Sequence, residues 1–554
     1  MFELLEGVVP YKEEDVQTYI NNGWWRGLTL GDFLDRAADM HPEKEAFVDR
    51  IGRMTYGQAR EKADRAALGM IKLGIQSTDR VLIQLPNWNE FVAAYFACQK
   101  IGAIPVLLIE RYRQFEVDRL AKITGATAWI VPKQTHKVDF VPIIDDVLKD
   151  NPEIKNVITV RGNVDRAGFS SLEDLIGDND RTPDNLSLLA KHKPNPLQVA
   201  HMGPTGGTTG APKIVPRTHN SLACGVEFCS MSWDQHCEDT TMIAGPVGHD
   251  LSFTKGLLGS VITQGRLILQ ESTKNADICK TIEQEKVTAV VWVPTLAQRL
   301  LQYDDLDRYD ISSLKKMHSA GAASHPDVVK EVMERFRMCF YNGYGGTEGM
   351  TCITRSADDL ETVCCTVGRP TFPHDIYKVV DFEGNEVPSG TTGELLVKGP
   401  CVFSGYYKNP EENANTFDND GFFRTGDLAK IDEKGYITLT GRSKEMINRG
   451  GESISATEIE KLINRHPDVV IVAVIPMPDP LMGERACAYI QTRPGATLTF
   501  EDVIAFLKGQ NAAVLQLPER IEFVDSMPLT KAEKLNKQAL RKDIEQKLME
   551  ETPQ

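Results

Sequence analysis

The sequence predicts an α/β protein with a large N-terminal domain of helix-covered, mostly parallel sheets. Through the first part of the 554-residue chain, short apolar runs alternate with stretches of helical periodicity. This alternation is typical of parallel strands joined by covering helices. After about residue 375, hairpin-like strands dominate, and they predict a small β-barrel-like region followed by a small, mobile C-terminal α+β domain.

The individual elements follow from the spacing of apolar residues. Short apolar runs between turn signals are expected to be strands, and apolar residues at helical spacing are expected to form helices. The expected strands of the first part are 81–85, 104–108, 127–131, 157–160, 266–270 and 287–293, and its expected helices are 89–101 and 115–123. The later strands are expected at 393–398, 435–440, 469–475, 486–491 and 520–524, with a closing helix from about residue 536.

Composition and charge narrow the class of protein. The chain has 62 Lys and Arg against 78 Asp and Glu, a net charge of −16, so polyanionic nucleic acids are not expected partners. No run reaches the roughly 18 apolar residues of a membrane span, and the N-terminus does not resemble a signal peptide. The eleven scattered cysteines show no metal-ligand spacing, which favours reduced thiols in a cytoplasmic protein.

A glycine-rich segment is the most informative part of the chain. The run from Gly203 to Lys213 holds four glycines, three threonines and one lysine. Glycines let backbone N–H groups approach a polyphosphate, hydroxyls donate to its oxygens, and the lysine adds a positive charge. The lysine follows a proline and precedes no serine or threonine, so this is not a Walker A loop. A flexible surface loop is the alternative, although strand-like flanks at 197–202 and 214–215 disfavour it.

This loop and the following Pro216-Arg-Thr-His-Asn220 resemble the phosphate loop of the adenylate-forming superfamily, which includes acyl-CoA synthetases, carrier-protein adenylating enzymes and luciferases. Four further segments match in the expected order, and the resemblance covers nearly the whole chain. Residues 413–417 and 447–452 resemble the aryl-acid branch most. The resemblance implies that ATP phosphates are bound by Thr205, Gly206, Gly207, Thr208, Thr209, Gly210 and Lys213.

Tyr344-Gly-Gly-Thr-Glu348 resembles the Tyr-Gly-x-Thr-Glu motif of the family. An aromatic ring can stack on adenine, and a carboxylate can hold Mg²⁺ against a triphosphate. The resemblance assigns Tyr344 to adenine, Thr347 to the α-phosphate and Glu348 to Mg²⁺. Just upstream, Gly321 and Ala322 fall in a small-residue stretch that the family places against the adenine ring.

Arg424-Thr-Gly-Asp427 matches the Thr-Gly-Asp segment of the family, in which a carboxylate faces the two ribose hydroxyls. At the family's spacing, Arg442 follows as a second contact to the ribose or phosphate. Lys444 stands at the hinge position, where backbone rotation is absorbed. The expected domains are therefore an AMP-binding domain, 1–443, and a mobile C-terminal domain, 444–554.

Two further segments belong to the expected C-terminal domain. The loop that contains Gly450 and Gly451 resembles the lining of the family's thiol tunnel, where glycines admit a pantetheine arm. Ser455 or Thr457 is also expected to cap the helix that follows.

The second segment, residues 528–534, resembles the family's Pro-x-Thr-x-x-Gly-Lys motif. It assigns Lys534 to bridge the substrate carboxylate and the α-phosphate. Glu533 stands where the family usually has glycine, and Lys531 and Lys537 are competing lysines.

Together these segments imply an AMP-forming acid–thiol ligase that uses ATP and Mg²⁺. His249 is expected to form a wall of the acyl pocket beside the substrate carboxylate. The next residue, Asp250, stands where dihydroxybenzoate-activating relatives have asparagine and amino-acid-activating relatives have aspartate. We expect an aromatic or alicyclic acid, such as benzoate or cyclohexane carboxylate, with CoA as the acceptor, in a reaction that can run in either direction.

The sequence leaves alternatives open. One is a stand-alone enzyme that loads an aryl acid or amino acid onto a carrier protein, because chain length does not separate it from a CoA ligase. A luciferase-like oxygenase and a nucleotide-binding protein without catalysis are two further classes. Both a monomer and a homodimer are compatible with the sequence.

Overall fold

The computed structural model describes residues 4–205, 212–322, 324, 326–381, 383–442, 446–449, 452–480, 482–510, 512, 514–530 and 534–551. The chain divides into two compact units. One consists of residues 1–376 and 398–416, and the other of residues 377–397 and 417–554. The expected hinge, Lys444, lies outside the described residues, and the expected domain boundary there stays a prediction.

The first unit is built on two mostly parallel sheets. Its strands are β1 (Glu45–Val48), β2 (Arg53–Thr55), β3 (Arg80–Ile83), β4 (Ile104–Leu107), β5 (Ala128–Pro132), β6 (Asn156–Val160), β7 (Phe169–Ser171), β8 (Val199–Thr205), β9 (Lys213–Thr218), β10 (Thr240–Ile243), β11 (Arg266–Leu269), β12 (Ala289–Trp292), β13 (Lys316–Ser319), β14 (Cys339–Gly345), β15 (Thr351–Ile353) and β16 (Arg369–Pro370). Among the described strands, nine form one sheet in the order β16-β15-β14-β13-β12-β10-β11-β1-β2, and seven form the other in the order β7-β6-β5-β3-β4-β8-β9.

Helices connect these strands, as the alternating pattern predicts. They are α1 (Glu13–Asn21), α2 (Leu30–Met40), α3 (Tyr56–Lys72), α4 (Asn89–Ile101), α5 (Gln114–Thr124), α6 (Val141–Asp150), α7 (Leu172–Gly177), α8 (Pro183–His192), α9 (His219–Ser232), α10 (Gly259–Thr263), α11 (Asn275–Glu285), α12 (Pro294–Leu301), α13 (Pro326–Phe336), α14 (Leu360–Cys365) and α15 (Pro410–Thr416). A π-helix, Leu251–Leu258, leads directly into α10. A short 3₁₀ turn occupies Leu306–Arg308.

The core of this unit explains why its apolar runs are so continuous. Helix α4 is buried along almost its whole length, and it shares one apolar cluster with strands of both sheets. A helix that is apolar on all sides must be covered on all sides. Its observed bounds are those expected from the sequence, and each of the six strands expected in this unit matches an observed strand within two residues at either end.

The second unit contains the hairpin-like strands and the end of the chain. Its strands are β17 (Ile376–Val380), β18 (Gly393–Lys398), β19 (Phe423–Ile431), β20 (Ile437–Arg442), β21 (Met446–Arg449), β22 (Glu452–Ser455), β23 (Val469–Asp479), β24 (Gly483–Thr492) and β25 (Arg520–Phe523). Its helices are α16 (Ala456–Ile463), α17 (Phe500–Gly509) and α18 (Lys537–Glu551), with a 3₁₀ turn at Val514–Gln516. In the described part of the chain, β17 to β20 form a four-stranded sheet, and β25 joins the sheet β22-β21-β24-β23 through β24.

The α+β character expected for the C-terminus is confirmed. Strands β23 and β24 pair along ten register positions, and α16 and α17 pack on them through one apolar cluster. Ser455 accepts a hydrogen bond from the backbone of Glu458, so it is the N-cap of α16 that the sequence predicted. Helices in the described ranges are all too short or too polar to cross a bilayer.

Candidate active site

The topology of the nine-stranded sheet brings distant segments to one edge. Strands β10, β12, β13 and β14 are parallel neighbours in the order β10-β12-β13-β14, so their carboxyl ends lie on the same side. The chain leaves β10 towards His249, β13 towards Gly321 and Ala322, and β14 towards Thr347. Ligands of open α/β sheets bind outside the carboxyl ends of the strands. Three of the predicted segments therefore meet where this fold class binds small molecules.

The glycine-rich segment connects two antiparallel strands. Thr205 ends β8, Lys213 begins β9, and the two residues are register partners. The predicted phosphate contacts between them, Gly206, Gly207, Thr208, Thr209 and Gly210, lie outside the described residues. A Cβ atom at Gly203 would come within 2.7 Å of Thr347 Cγ2, so only glycine lets this hairpin approach the Thr347 turn so closely. The hairpin thereby joins the seven-stranded sheet to the Thr347 turn.

Glu348 is a buried carboxylate with neutral donors and charges of both signs around it. Its side chain accepts a 2.8 Å hydrogen bond from the hydroxyl of Tyr406. Burial raises the pKa of Glu348 above its ordinary value, and the Asp250 charge raises it further. A backbone hydrogen bond, the Tyr406 hydrogen bond and the Lys213 charge lower that pKa. The balance leaves a carboxylate that is costly to ionise without a cation.

Lys213 lies in the same group of side chains. Its ammonium forms an ion pair with Glu412 and lies 4.8 Å from the centroid of the Tyr406 ring. Glu412 and Tyr406 both belong to the short segment 398–416. The sequence predicts no ATP contact in that segment. Tyr406 thus touches the predicted phosphate lysine with its ring and the predicted metal ligand with its hydroxyl.

A buried arginine holds the turn that carries Thr347 and Glu348. Arg217 on β9 donates to the carbonyl oxygens of Thr347 at 3.0 Å, Cys401 at 2.7 Å and Ser221 at 3.2 Å. The backbone N–H of Phe403 donates to the Glu348 carbonyl at 2.7 Å. The position of the turn that carries Thr347 and Glu348 is therefore fixed by segments before and after it in the chain.

Asp375 supports the segment that follows Gly399. It is buried, and one of its carboxylate oxygens accepts from the backbone N–H of Cys401 at 3.2 Å. Burial raises the pKa of Asp375 to about 7, although hydrogen bonds from Cys401 and the charge of Arg217 lower it. This carboxyl group titrates near neutral pH directly beneath the loop that Arg217 clamps.

The residues predicted to contact adenine lie at the same sheet edge. Tyr344 is the penultimate residue of β14 and is buried, whereas Gly321 and Ala322 follow β13 and are exposed. Because β13 and β14 are paired in parallel, these two stretches leave the sheet side by side. Their neighbourhood is consistent with their predicted roles, which stay predictions.

His249 and Asp250 stand at the start of the π-helix. Both are half-buried, and the backbone N–H of Leu251 approaches His249 Nδ1 at 3.4 Å. The charge of Asp250 reaches Glu348, as the pKa of that carboxyl shows. π-Helical segments occur frequently at functional sites, because their wider turn displaces side chains from the ordinary helical positions.

The predicted ribose residues of the second unit face each other. Asp427 on β19 and Arg442 on β20 are register partners, and Arg442 Nε lies 2.8 Å from Asp427 Oδ1. The Asp427 side chain is buried while that of Arg442 is about half exposed. The carboxylate is thus held ready to accept hydrogen bonds from two hydroxyl groups.

Lys534 closes a turn near the end of the chain. Its backbone N–H approaches Thr530 Oγ1 at 3.2 Å, and its carbonyl accepts from the backbone of Thr530 at 2.7 Å. The competing Lys537 forms a 2.9 Å ion pair with Glu460. Glu533, Lys531 and the predicted thiol-loop glycines Gly450 and Gly451 lie outside the described residues.

Glu348 also meets the requirements of a magnesium ligand. Within the described ranges, no group of three or more His, Cys, Asp or Glu side chains converges as a metal site. Mg²⁺ needs no such group, because it is commonly held by one or two carboxylates together with substrate phosphates and water. A buried carboxylate whose ionisation is disfavoured gains most from a bound cation.

Comparison with known proteins agrees with this geometry. Residues 34–407 match the AMP-binding enzyme family, and residues 458–534 match the AMP-binding enzyme C-terminal domain. The chain belongs to the AMP-binding enzyme family. The predicted membership of the adenylate-forming superfamily, and of its aryl-acid branch, is confirmed.

Three relatives of this AMP-binding enzyme cover nearly its whole length. The 2,3-dihydroxybenzoate-AMP ligase of Bacillus subtilis (strain 168) is 36% identical over 551 residues, with 99% of each chain covered. The 2-hydroxy-7-methoxy-5-methyl-1-naphthoate–CoA ligase of Streptomyces carzinostaticus is 34% identical, with 97% of this chain and 96% of the relative covered. The apo structure of MbtA from Mycobacterium smegmatis superposes with a TM-score of 0.74 at 30% identity, covering 98% of this chain and 100% of the other.

Sequence reasoning on this AMP-binding enzyme missed the residues that support Glu348. Tyr406, Glu412 and Asp375 lie in no segment that resembles the family's motifs, and Arg217 lies in the segment 216–220, which does, but the resemblance assigns it no role. The available signal was weak: two adjacent tyrosines, Tyr406 and Tyr407, stand between turn residues. Only the tertiary structure shows which of the two tyrosines reaches Glu348.

The Tyr406–Glu348 hydrogen bond is expected to set the acidic limit of activity. Tyr406→Phe removes the donor that lowers the pKa of Glu348, so the acid limb of the pH profile of ATP–pyrophosphate exchange should move to higher pH. A hydrogen bond to a charged group contributes about 1.5–3 kcal/mol, which corresponds to a shift of roughly 1–2 pH units. The half-saturating Mg²⁺ concentration should change with it.

Tyr407→Phe is the matched control, because that ring packs in the core of the seven-stranded sheet. An unchanged acid limb in Tyr406→Phe, or an equal shift in both variants, would contradict the assigned role of the hydrogen bond.

Asp375 is expected to make stability fall as the pH rises. Its pKa is higher in the folded protein than in the unfolded chain, so its protonated form stabilises the fold below about pH 4, and that contribution is lost as the pH rises to about 7. Asp375→Asn removes this dependence and should gain on the order of 3 kcal/mol relative to the unchanged protein between pH 4 and pH 8. Urea unfolding followed by circular dichroism at both pH values measures the difference.

Only the pH dependence is compared, since any packing cost of the amide is the same at both pH values. Asp165→Asn changes an exposed carboxylate and serves as the control. A pH-independent difference between Asp375→Asn and the unchanged protein would show that this carboxyl does not titrate as described.

Proposed function

We propose that this enzyme activates an aryl carboxylic acid with MgATP and then transfers the acyl group to the pantetheine thiol of a separate carrier protein. One observation supports the proposal: the phosphate hairpin touches Thr347 at Gly203, and the charges of Lys213 and Asp250 both act on the neighbouring Glu348. In the first step a carboxylate oxygen bonds to the α-phosphorus, the bond from that phosphorus to the bridging oxygen breaks, and pyrophosphate leaves.

The first unit supplies the charge for this step. Lys213, with Thr205 at the other end of the hairpin turn, would bind the phosphates, and the nucleotide would compete with Glu412 for the lysine. Thr347 would donate to the α-phosphate, and Glu348 would hold Mg²⁺. The bound ion neutralises phosphate charge and orients the oxygens, whereas positioning and charge stabilisation by the side chains lower the barrier.

The remaining roles extend the family resemblance. Tyr344, Gly321 and Ala322 would bind adenine, and Asp427 with Arg442 would bind the ribose hydroxyls. Lys534 would bridge the substrate carboxylate and the α-phosphate as charge develops there.

In the second step a thiolate attacks the acyl carbon and AMP leaves. Gly450 and Gly451 would line the path of the pantetheine arm. Rotation about Lys444 would exchange Lys534 for that loop between the two steps, so that one site performs both reactions.

The comparisons support an aryl acid more than an alicyclic one, and they shift the preferred acceptor. The 36% identical relative is named for 2,3-dihydroxybenzoate and for the AMP ester, which supports aryl-acid activation followed by loading of a carrier. CoA is the second candidate acceptor, because the 34% identical relative is named as a naphthoate–CoA ligase.

Substrate and acceptor can be separated in one assay. Pyrophosphate release with MgATP is measured with benzoate, 2,3-dihydroxybenzoate, salicylate, cyclohexane carboxylate, short fatty acids and amino acids. Each acid is tested alone, with CoA, and with a phosphopantetheinylated aryl carrier protein. We expect ATP–pyrophosphate exchange with an aryl acid, and acceleration of release by the carrier but not by CoA.

Acceleration by CoA alone would replace the carrier with CoA in the proposal. An amino acid as the best substrate would mean that Asp250 pairs with an ammonium group. Absence of exchange with every acid would overturn the proposed activity and favour a nucleotide-binding protein without catalysis.

Lys534 is expected to serve only the first step. Lys534→Ala should lower ATP–pyrophosphate exchange by about 100-fold or more, as removal of a transition-state donor does elsewhere. The same variant, supplied with purified aryl-AMP, should transfer the aryl group to the thiol at a rate within about 3-fold of the unchanged protein, a change of about 0.7 kcal/mol or less. Lys537→Ala is the control, and equal loss of both steps in Lys534→Ala would contradict the separation of roles.

A further inference from the structure

A second lysine, Lys255, lies on the π-helix Leu251–Leu258, which directly follows His249 and Asp250. Lys255 is half-buried, and its ammonium donates to Thr351 Oγ1 at 3.3 Å. In a π-helix the hydrogen bonds join residues five apart, so Asp250 and Lys255 lie on the same face, one turn from each other. Thr351 begins β15 only three residues after Glu348. Lys255 therefore lies one turn beyond His249 and Asp250. It contacts the first residue of β15, the strand that follows Glu348.

Lys255 lacks an acidic partner in the described part of the chain. No described Asp or Glu comes within 4.0 Å of its ammonium, and its neighbours Thr351 and Cys229 offer it a hydroxyl and a thiol rather than a carboxylate. Elsewhere in the protein, the half-buried Lys100 and the buried Lys316 are paired with carboxylates. A partly desolvated cation without a counter-ion is unfavourable, and an anion brought by a ligand would compensate it.

The surroundings of Lys255 contain a second unsatisfied group. His318 on β13 is buried, and its Nδ1 has no hydrogen-bond partner among the described residues. Burial, and then the charge of Lys255, lower the pKa of His318 to about 3, so the ring is neutral and lies within electrostatic range of the ammonium. The Lys255 charge also reaches the buried thiol of Cys229, where it opposes the rise in pKa that burial causes.

Gly345 keeps this region open on the side of β14. A Cβ atom there would lie 2.7 Å from the Met350 carbonyl and 3.4 Å from Thr351 Oγ1. Any side chain at this position would therefore approach the hydroxyl that Lys255 contacts. Glycine at this position therefore keeps side-chain atoms of β14 away from the Thr351–Lys255 pair.

The charges along this face of the π-helix have opposite signs. Asp250 lies within range of Glu348 and raises the pKa of that carboxyl, whereas Lys255 faces Thr351 and His318. A second negative group on the substrate would be repelled near Asp250 and attracted near Lys255. The ring of an aryl acid that reacts beside Glu348 would thus carry such a group away from the reacting carboxylate.

We propose that Lys255 determines specificity by selecting aryl acids that carry a second acidic oxygen group, a carboxylate or a phenolic hydroxyl, on the part of the ring remote from the reacting carboxylate. This inference rests on the proposed aryl-acid activation. It extends that function by naming the substituent and the residue that recognises it, and it assigns no catalytic step to Lys255.

The test compares ring substituents across three proteins. ATP–pyrophosphate exchange is measured with benzoate, isophthalate, terephthalate, the 3- and 4-hydroxybenzoates and 4-(aminomethyl)benzoate. The variants are Lys255→Met, which keeps the length of the side chain without its charge, and Lys255→Glu, which reverses the charge. Lys280→Met, an exposed lysine on α11, is the matched control. Thermal unfolding of each variant shows that the fold is kept.

We expect at least one acid with a second acidic oxygen to exceed benzoate in kcat/KM by about 10-fold or more. Lys255→Met should reduce that advantage by about 10- to 100-fold, mainly through KM, and should leave benzoate within about 3-fold. Lys255→Glu should turn the preference towards 4-(aminomethyl)benzoate. Gains confined to the dicarboxylates would identify a second carboxylate, and gains confined to the hydroxybenzoates a phenol; both support the inference.

Three outcomes overturn it. In the first, the advantage of the substituted acids over benzoate is unchanged in Lys255→Met. In the second, the kcat/KM values of benzoate and the substituted acids fall together in that variant, which indicates a structural role. In the third, benzoate is the best substrate of the unchanged protein. In each of these cases exchange with aryl acids persists, so the proposed function stands. If no acid in the panel supports exchange, the proposed function itself fails, and the assignment of Lys255 fails with it.

Discussion

The position of Glu348 depends on one buried guanidinium. Arg217 binds carbonyl oxygens of its own strand–helix junction, of the Thr347 turn and of the segment at Cys401, which is 184 residues away in sequence. Charge-assisted hydrogen bonds of this kind are stronger than neutral ones, and a buried arginine without acceptors would be strongly destabilising. Arg217 therefore holds the three segments together. This arrangement lets the Tyr406 hydroxyl and the Phe403 N–H reach Glu348.

Each unit also contains charged groups whose state depends on neighbouring side chains. In the first unit, burial disfavours the ionised form of Glu348, and Lys213 pairs with Glu412. In the second unit, Asp427 pairs with Arg442. In the proposed function, phosphate, metal and ribose would replace or complete these interactions. Preorganisation of this kind lowers the cost of reorganisation when the substrate binds. Lys255 differs, because no described carboxylate holds it, and this difference points to the substrate as its partner.

Much of the fold was predictable because its signals are local. The helix 89–101 and the strand 393–398 were expected at the bounds that they have, since burial on all sides or hairpin turn signals leave a clear pattern in a short window. The antiparallel pairing of β8 with β9 was not foreseen, because parallel and antiparallel strands of a buried sheet have similar apolar runs. The π-helix was also missed, since a change from i→i+4 to i→i+5 hydrogen bonding leaves no simple periodic signal.

The sequence by itself determined the family and the predicted chemistry. That chemistry consists of glycines, threonines and a lysine predicted for phosphates, a tyrosine and a carboxylate after a strand, an aspartate predicted for ribose, and a lysine near the end. These are properties of residue types at short spacing, and the confirmed family membership agrees with them. The tertiary structure alone decided which side chains support that chemistry. Tyr406 meets Glu348 across 58 residues and Glu412 meets Lys213 across 199, and Lys255 faces Thr351 across 96. Such contacts depend on the order of strands in a sheet and on the packing of whole segments, which no local pattern specifies.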